Sequence, residues 1–273
     1  MDDTRTSKPK KQGAGYDIVD ALFSNRSVEI RNVDMMIDDT QKRVWAALKK
    51  GYEYTPIVHE SDRYLRSRVL SRIDMLVMYV DLVGSTTMTL EMPEDKLAII
   101  ISSFAQEMAY VAKQYSGYVL KFVGDAVIVY FIAEMMPLHA SDNAVRCASS
   151  MIAVIRDGIN PILNQYDYPD LQVKVGLDFG KNIVVRYGAD PKKSHVDLLG
   201  PPMNIAAKIQ ARAKPNQILV GDDVYTRLHP TLQQNFRKVA WQGGTWKYRS
   251  RFTGKIYDVY EYIDRHQTGP QDN

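Results

Sequence analysis

The chain has 273 residues, of which 45% are hydrophobic and 25% charged, so it can bury a substantial core and is neither fibrous nor disordered. Its 35 basic and 32 acidic residues leave a net charge of only +3, which is too small to indicate a nucleic-acid partner. The single cysteine, Cys147, excludes an internal disulfide framework, and no apolar stretch approaches the roughly 20 residues that span a bilayer. We therefore expect a cytoplasmic protein with no nucleic-acid and no membrane partner.

The N-terminal region divides into two parts. Residues 1–15 are polar and are predicted to be a disordered tail, whereas residues 16–72 show helical periodicity and are predicted to be an N-terminal helical segment. This segment could transmit a signal, stabilise a dimer or cover a site. Its last ten residues alternate arginines with apolar residues, which indicates a phosphate-binding face or, more simply, arginine stems that cover a helix flank.

Residues 73–263 are predicted to form one catalytic-sized domain, followed by a polar tail over 264–273. The predicted elements, in chain order, are a buried strand from Ile73, a helix over 93–115, a hairpin over 118–131, a helix over 137–166, a strand pair around Gly180, and a short strand and helix in HVDLLGPPMNIAAKIQ. This order predicts an α+β fold: a ferredoxin-like βαββαβ sheet flanked by helices, which we expect on one face.

Two acids interrupt apolar runs where predicted strands end. Asp81 lies in YVDLVGST and Asp125 in FVGDAVI, and a buried carboxylate needs a cation or hydrogen bonds. In a ferredoxin-like sheet both acids reach one edge, where they could hold hard divalent cations through oxygen. Taken singly, Asp81 could instead cap a helix and Asp125 could simply form a turn.

Small residues follow the first acid. Gly84, Ser85 and Thr86 form a hydroxyl-rich turn whose free backbone N–H groups could hold phosphate before a helix. We therefore expect metal and polyphosphate to meet at this edge.

Three sequence blocks, YVDLVGSTT, KFVGDAV and HVDLLGPPMNIAAK, resemble in order the signature blocks of the class III nucleotidyl cyclases, the adenylate and guanylate cyclase catalytic domain. The resemblance covers about residues 70–230. It implies that Asp81 and Asp125 bind two Mg²⁺ or Mn²⁺ ions per site, one activating the ribose 3′-hydroxyl and the other holding the triphosphate.

The resemblance also implies which residues contact the base. In adenylate cyclases a lysine and an aspartate hydrogen-bond to adenine, and Lys121 and Asp197 match them. Lysine can donate to N1 and aspartate can accept from the 6-amino group, whereas guanine presents the opposite pattern, so ATP is favoured over GTP. Lys121 could alternatively be an ordinary lysine at an exposed strand edge.

The third block departs from the family pattern. Asn204 matches the asparagine that orients the ribose, but Lys208 stands where the family has an arginine that stabilises phosphate charge. Lysine keeps the charge and loses the bidentate fork. Arg212, four residues further along, could supply that fork from the same helix face, or could simply face solvent.

These features favour an adenylate cyclase that makes 3′,5′-cyclic AMP and pyrophosphate from ATP. The family shares its site between protomers, and this chain carries both halves, so the resemblance implies a homodimer with two equivalent sites. Two alternatives stay open: a cyclase of another triphosphate, GTP or a pyrimidine, and a nucleotide-binding regulatory module of low activity.

Overall fold

The structure, a computed structural model, describes residues 32–51, 58–241, 246–250 and 253–263. The predicted tails over 1–15 and 264–273, and parts of the N-terminal segment, lie outside these residues. The helices are α1 (Val33–Lys50), α2 (His59–Arg66), α3 (Ser85–Glu91), α4 (Glu94–Gln114), α5 (Pro137–Ala153), α6 (Asn160–Asn164), α7 (Pro201–Gln210), α8 (Asp222–Tyr225) and α9 (Pro230–Gln233). A π-helical turn, Val154–Ile159, joins α5 to α6.

One mixed, mostly antiparallel sheet organises the domain. Its strands are β1 (Arg72–Leu82), β2 (Tyr118–Val123), β3 (Ala126–Ile132), β4 (Val173–Tyr187), β5 (His195–Leu199), β6 (Gln217–Gly221), β7 (Phe236–Lys238) and β8 (Val259–Tyr262). The order β2-β3-β1-β4 and the antiparallel pairing within it are those of a ferredoxin-like βαββαβ unit, so the predicted fold is confirmed. Beyond β4 the sheet continues through β6, which is parallel to it, to β8 and β7.

The predicted strand pair around Gly180 is wrong, because β4 is one continuous strand. Its pairing with β1 runs without interruption from Leu82↔Val173 to Arg72↔Ile183, so no turn can form at Gly180. Gly180 has a φ of +153°, which indicates that the strand accommodates a local distortion there and continues.

Helices cover both faces of the sheet, which corrects the expectation of one covered face. Alternate residues of β1 divide between two cores, because side chains of a strand point to opposite faces. Leu76 and Met78 pack with α1, α4, α5 and α6 on the first face. Met75 and Val77 pack with α2, α7 and β5 on the second face. Asp81 is an even number of residues from Met75 and Val77 along β1, so its side chain points to the same face. The candidate site therefore belongs to the second face.

Helix α1 is anchored to the first face by a buried carboxylate. Glu107 of α4 receives hydrogen bonds from Arg43 Nε (2.7 Å) and Nη2 (2.6 Å) and from Thr40 Oγ1 (2.7 Å). Such a buried charge is stable only when it is paired and fully hydrogen-bonded. Because α1 lies on the face opposite Asp81, it does not cover the candidate site. Within the part of the chain described here, no helix is long and apolar enough to cross a membrane.

Candidate active site

The two predicted metal acids lie side by side. Asp81 pairs with Ala126 across β1 and β3, so Asp125, in the turn that precedes β3, is its immediate neighbour. Desolvation and the charge of Asp125 raise the pKa of the Asp81 carboxyl, while a hydrogen bond from Gln210 Nε2 (2.9 Å) opposes the rise. The sheet register therefore brings two carboxylates together with incomplete charge compensation.

This pair has the chemistry of a magnesium site. Mg²⁺ is commonly held by one or two carboxylates together with substrate phosphates and waters. Over the described ranges no cluster of three or more His, Cys, Asp or Glu side chains could hold a metal by itself. A pair of hard oxygen ligands, completed by a triphosphate, therefore fits the residues present.

The predicted phosphate turn lies next to Asp81. Gly84 has a φ of +75° and precedes the first residue of α3, while Ser85 and Thr86 form the first turn of that helix. Nothing would meet a Cβ at Gly84, so it is the left-handed backbone rather than crowding that favours glycine. Gly84 and Thr86 are exposed and Ser85 is half-buried, so all three are accessible beside the acids.

The two predicted base-contacting residues meet over the second face of the sheet. β5 folds back from β4, and Val196 and Leu198 pack into the second core. The strand's opposite side then presents Asp197, whose carboxylate forms an ion pair with Lys121 Nζ of β2. Asp197 Oδ1 also accepts a hydrogen bond from the Leu198 amide (2.9 Å), and His195 Nε2 lies 3.8 Å from Oδ2. A donor and an acceptor are thus held next to each other.

Asn204 and Lys208 of the third block lie on α7, and Arg212 follows that helix. Asn204 and Lys208 are both exposed, one helical turn apart. The helix ends at Gln210, and Arg212 lies in the turn that follows, where its amide donates to Ile209 O (3.0 Å). Arg212 thus lies two residues beyond the end of the helix, and its placement beside Lys208 stays a prediction.

Gln210 is a site residue that the sequence did not indicate. It is buried at the end of α7 and donates to Asp81. A Cβ at Gly176 of β4 would lie only 2.3 Å from Gln210 N, so the missing side chain lets α7 approach the sheet this closely. The only sequence signal was this glycine within a strand, which marks a close backbone approach without naming its partner.

The comparison with protein families gives a match over residues 71–249 to the family described as the adenylate and guanylate cyclase catalytic domain. The chain belongs to this family. The match includes every predicted site residue, from Asp81 to Arg212.

Relatives of this cyclase domain carry different substrate names. A cytidylate cyclase of Escherichia coli is 22% identical over 195 residues, which are 69% of this chain and 42% of the relative. A cytidylate cyclase of Staphylococcus aureus is 25% identical over 166 residues, 59% of this chain and 38% of the relative. The chain thus spans about two fifths of these proteins.

A solved structure shares the fold of this chain. The crystal structure of the adenylyl cyclase CyaB from P. aeruginosa has a TM-score of 0.56 at 21% sequence identity. The match covers 74% of this chain and 98% of that one.

Proposed function

We propose that this chain is a nucleotidyl cyclase that converts ATP to 3′,5′-cyclic AMP and pyrophosphate, and that CTP is the second candidate substrate. The observation that carries the proposal is the ion pair of Lys121 with Asp197, on the same domain as the carboxylates of Asp81 and Asp125. The Lys121–Asp197 pair matches the edge of a nucleobase, and the two carboxylates match the metal requirement of a triphosphate.

The base edge explains why two substrates are candidates. Adenine presents an acceptor at N1 next to an amino donor at N6, and cytosine presents the same order at N3 and N4. Guanine and uracil present the reverse, a ring N–H next to a carbonyl oxygen. Because the two recognised atoms are neighbours on the base, a lysine donor and an aspartate acceptor must also be neighbours, as Lys121 and Asp197 are. The names of the relatives favour CTP, and the adenylate cyclase pattern favours ATP.

The first prediction concerns substrate choice. With purified protein, Mn²⁺ and each of four triphosphates, we expect kcat/KM for ATP or CTP to exceed that for GTP and UTP by about 100-fold or more, because a mismatched base leaves Lys121 and Asp197 with misdirected polar partners. Product should be measured by mass spectrometry.

The double variant Lys121→Glu with Asp197→Ser should reduce this preference. Lys192→Glu, in the exposed loop between β4 and β5, is the control and should not. A wild-type preference for GTP or UTP would contradict the base assignment. Nucleotide binding without any product would instead support the regulatory-module alternative.

The chain's own residues suggest how the reaction proceeds. When bound, two Mg²⁺ or Mn²⁺ ions would supply positive charge to the phosphates and lower the pKa of the 3′-hydroxyl. Asp81 and Asp125 would hold the ions, the turn at Gly84, Ser85 and Thr86 would contact the triphosphate, and Asn204 would orient the ribose. Lys208 would offset the charge that develops on the α-phosphate as the 3′-oxygen attacks and pyrophosphate leaves.

We propose that two copies of the chain complete each site. Asn204 and Lys208 face solvent in the single chain, as expected if they serve a triphosphate held by another protomer's acids. Exposed apolar side chains flank the site residues: Phe122 (36%) and Val123 (53%) precede Asp125, and Leu199 (56%) follows Asp197. Apolar residues concentrated around a polar site are typical of an interface, which supports a homodimer.

A second prediction addresses the departure at Lys208. Lys208→Arg should raise kcat by about tenfold or more with little change in KM, because a guanidinium can bind two phosphate oxygens in the transition state where an ammonium acts as a point charge. Steady-state kinetics with the preferred triphosphate would measure this.

The matched variant is Arg212→Ala. If Arg212 already supplies the fork, its loss should be the damaging change, and Lys208→Arg should have little effect. Unchanged kcat in both variants would show that neither side chain stabilises the transition-state charge.

A further inference from the structure

Arg66, the last residue of α2, ties that helix to the loop between β4 and β5. Its Nη1 donates to two backbone carbonyls of the loop, Pro191 O (2.9 Å) and Ser194 O (2.8 Å). Its Nε and Nη2 donate to the two carboxylate oxygens of Asp62, one turn earlier on α2, at 2.9 and 2.6 Å. The guanidinium therefore makes four hydrogen bonds, and Asp62 fixes its orientation.

The loop that Arg66 holds leads directly into the base-contacting strand. Ser194 is the residue before β5, and Asp197 is the third residue of β5. The loop is itself a compact turn, because Asp190 Oδ1 accepts from the amides of Lys192 (2.8 Å) and Lys193 (3.2 Å). A rigid loop pinned at its last carbonyl sets where β5 begins.

The same helix also contacts the strand that carries Lys121. Tyr64 stacks on Tyr118 of β2 with ring centroids 5.5 Å apart, and Ser61 Oγ donates to the hydroxyl of Tyr130 (3.2 Å) on the adjacent strand β3. Leu65 is buried in the core that holds Val196 of β5. Helix α2 therefore touches both elements, β2 and β5, whose side chains form the Lys121–Asp197 pair.

We infer that Arg66 is a positioning residue for base selection: by fixing the start of β5 against α2, it sets the place of Asp197 relative to Lys121. This inference rests on the proposed function. It also assigns a role to α2, a described part of the N-terminal segment: to hold β2 and β5, the strands that carry Lys121 and Asp197, in place. An error of about 1 Å in such a placement can lower the rate substantially without removing any contact to the substrate.

The test compares selectivity in three variants. Arg66→Ala should lower the ratio of kcat/KM for the preferred triphosphate to kcat/KM for GTP by about five- to tenfold, mainly through a higher KM for the preferred substrate. Arg66→Lys should fall between it and the wild type, because an ammonium keeps the charge and loses the planar fork. Arg63→Ala, which removes an exposed arginine from the same helix, should leave the ratio within about twofold.

This ratio separates positioning from general damage, because both rates scale equally with the fraction of folded enzyme. A loss of activity with an unchanged ratio would overturn the inference. If Arg66→Ala does not fold, Asp62→Asn, which removes the charge that orients Arg66, should give a smaller change in the same direction, and no change would count against the inference.

Hydrogen exchange keeps the inference testable apart from catalysis. In Arg66→Ala, the amides of 194–199 should exchange faster than in the wild type, while those of β1 should not, and unchanged exchange in 194–199 would overturn the inference. If the wild type fails to discriminate among triphosphates, or Lys121→Ala leaves selectivity unchanged, the proposed function fails. If Lys121→Ala abolishes selectivity and Arg66→Ala does not alter it, only the present inference fails.

Discussion

Asp81→Asn should lower kcat by about a thousandfold or more, which corresponds to roughly 4 kcal/mol of barrier. The amide keeps the size of the carboxyl and can still accept the hydrogen bond from Gln210, but it has no charge with which to hold Mg²⁺ or Mn²⁺. Asp125→Asn should behave in the same way. Product formation at saturating Mn²⁺ and triphosphate would measure the loss.

The same substitutions should not destabilise the fold. Asp81 is partly desolvated beside a like charge, so removing one charge relieves repulsion in the metal-free protein. The Tm of Asp81→Asn, measured with a chelator present, should therefore equal or exceed that of the wild type. Asp95→Asn, at an exposed position in the first turn of α4, is the control and should keep full activity. Wild-type turnover in a folded Asp81→Asn variant would contradict the metal assignment.

The convergence of the acids follows from local patterns in the sequence. An apolar run that ends in Asp81, an amphipathic helix, and a hairpin with its turn at Gly124 and Asp125 together specify a βαββ unit. In that unit β1 must pair with β3, so the end of β1 and the start of β3 share one edge. Strand order and register, both set by hydrophobic patterning and turn position, therefore place the carboxylates before any tertiary detail is known.

Long-range contacts of long side chains could not be read in this way. Gln210 reaches Asp81 because Gly176 lets α7 approach β4, and Arg66 reaches two carbonyls 125 and 128 residues away. No periodic sequence pattern predicts either contact, because each depends on how whole helices pack against the sheet. The sequence does not predict the continuity of β4 through Gly180 for a related reason: a glycine is compatible with a turn or with a local distortion, and only the pairing with β1 distinguishes them.

Mixing two inactive variants should restore activity if each site is shared between two chains. Asp81→Asn lacks the metal half but keeps Asn204, whereas Asn204→Ala keeps both acids and lacks the ribose contact. In a heterodimer, one of the two sites takes both acids from the Asn204→Ala chain and its asparagine from the Asp81→Asn chain. That site is intact. Random exchange at equal concentrations should give about a quarter of wild-type activity, because half of the dimers are mixed and each has one good site.

The matched control mixes Asp81→Asn with Asp125→Asn. Both lesions lie in the metal half, so each site of that heterodimer carries one damaged acid and no activity should return. Native mass spectrometry with one variant of each mixture isotopically labelled would show that subunits exchange in both mixtures. Recovery in the first mixture alone would mean that the acids and Asn204 act across an interface. No recovery despite exchange would mean that one chain supplies the whole site, and the exposure of Asn204 and Lys208 in the single chain would then need another explanation.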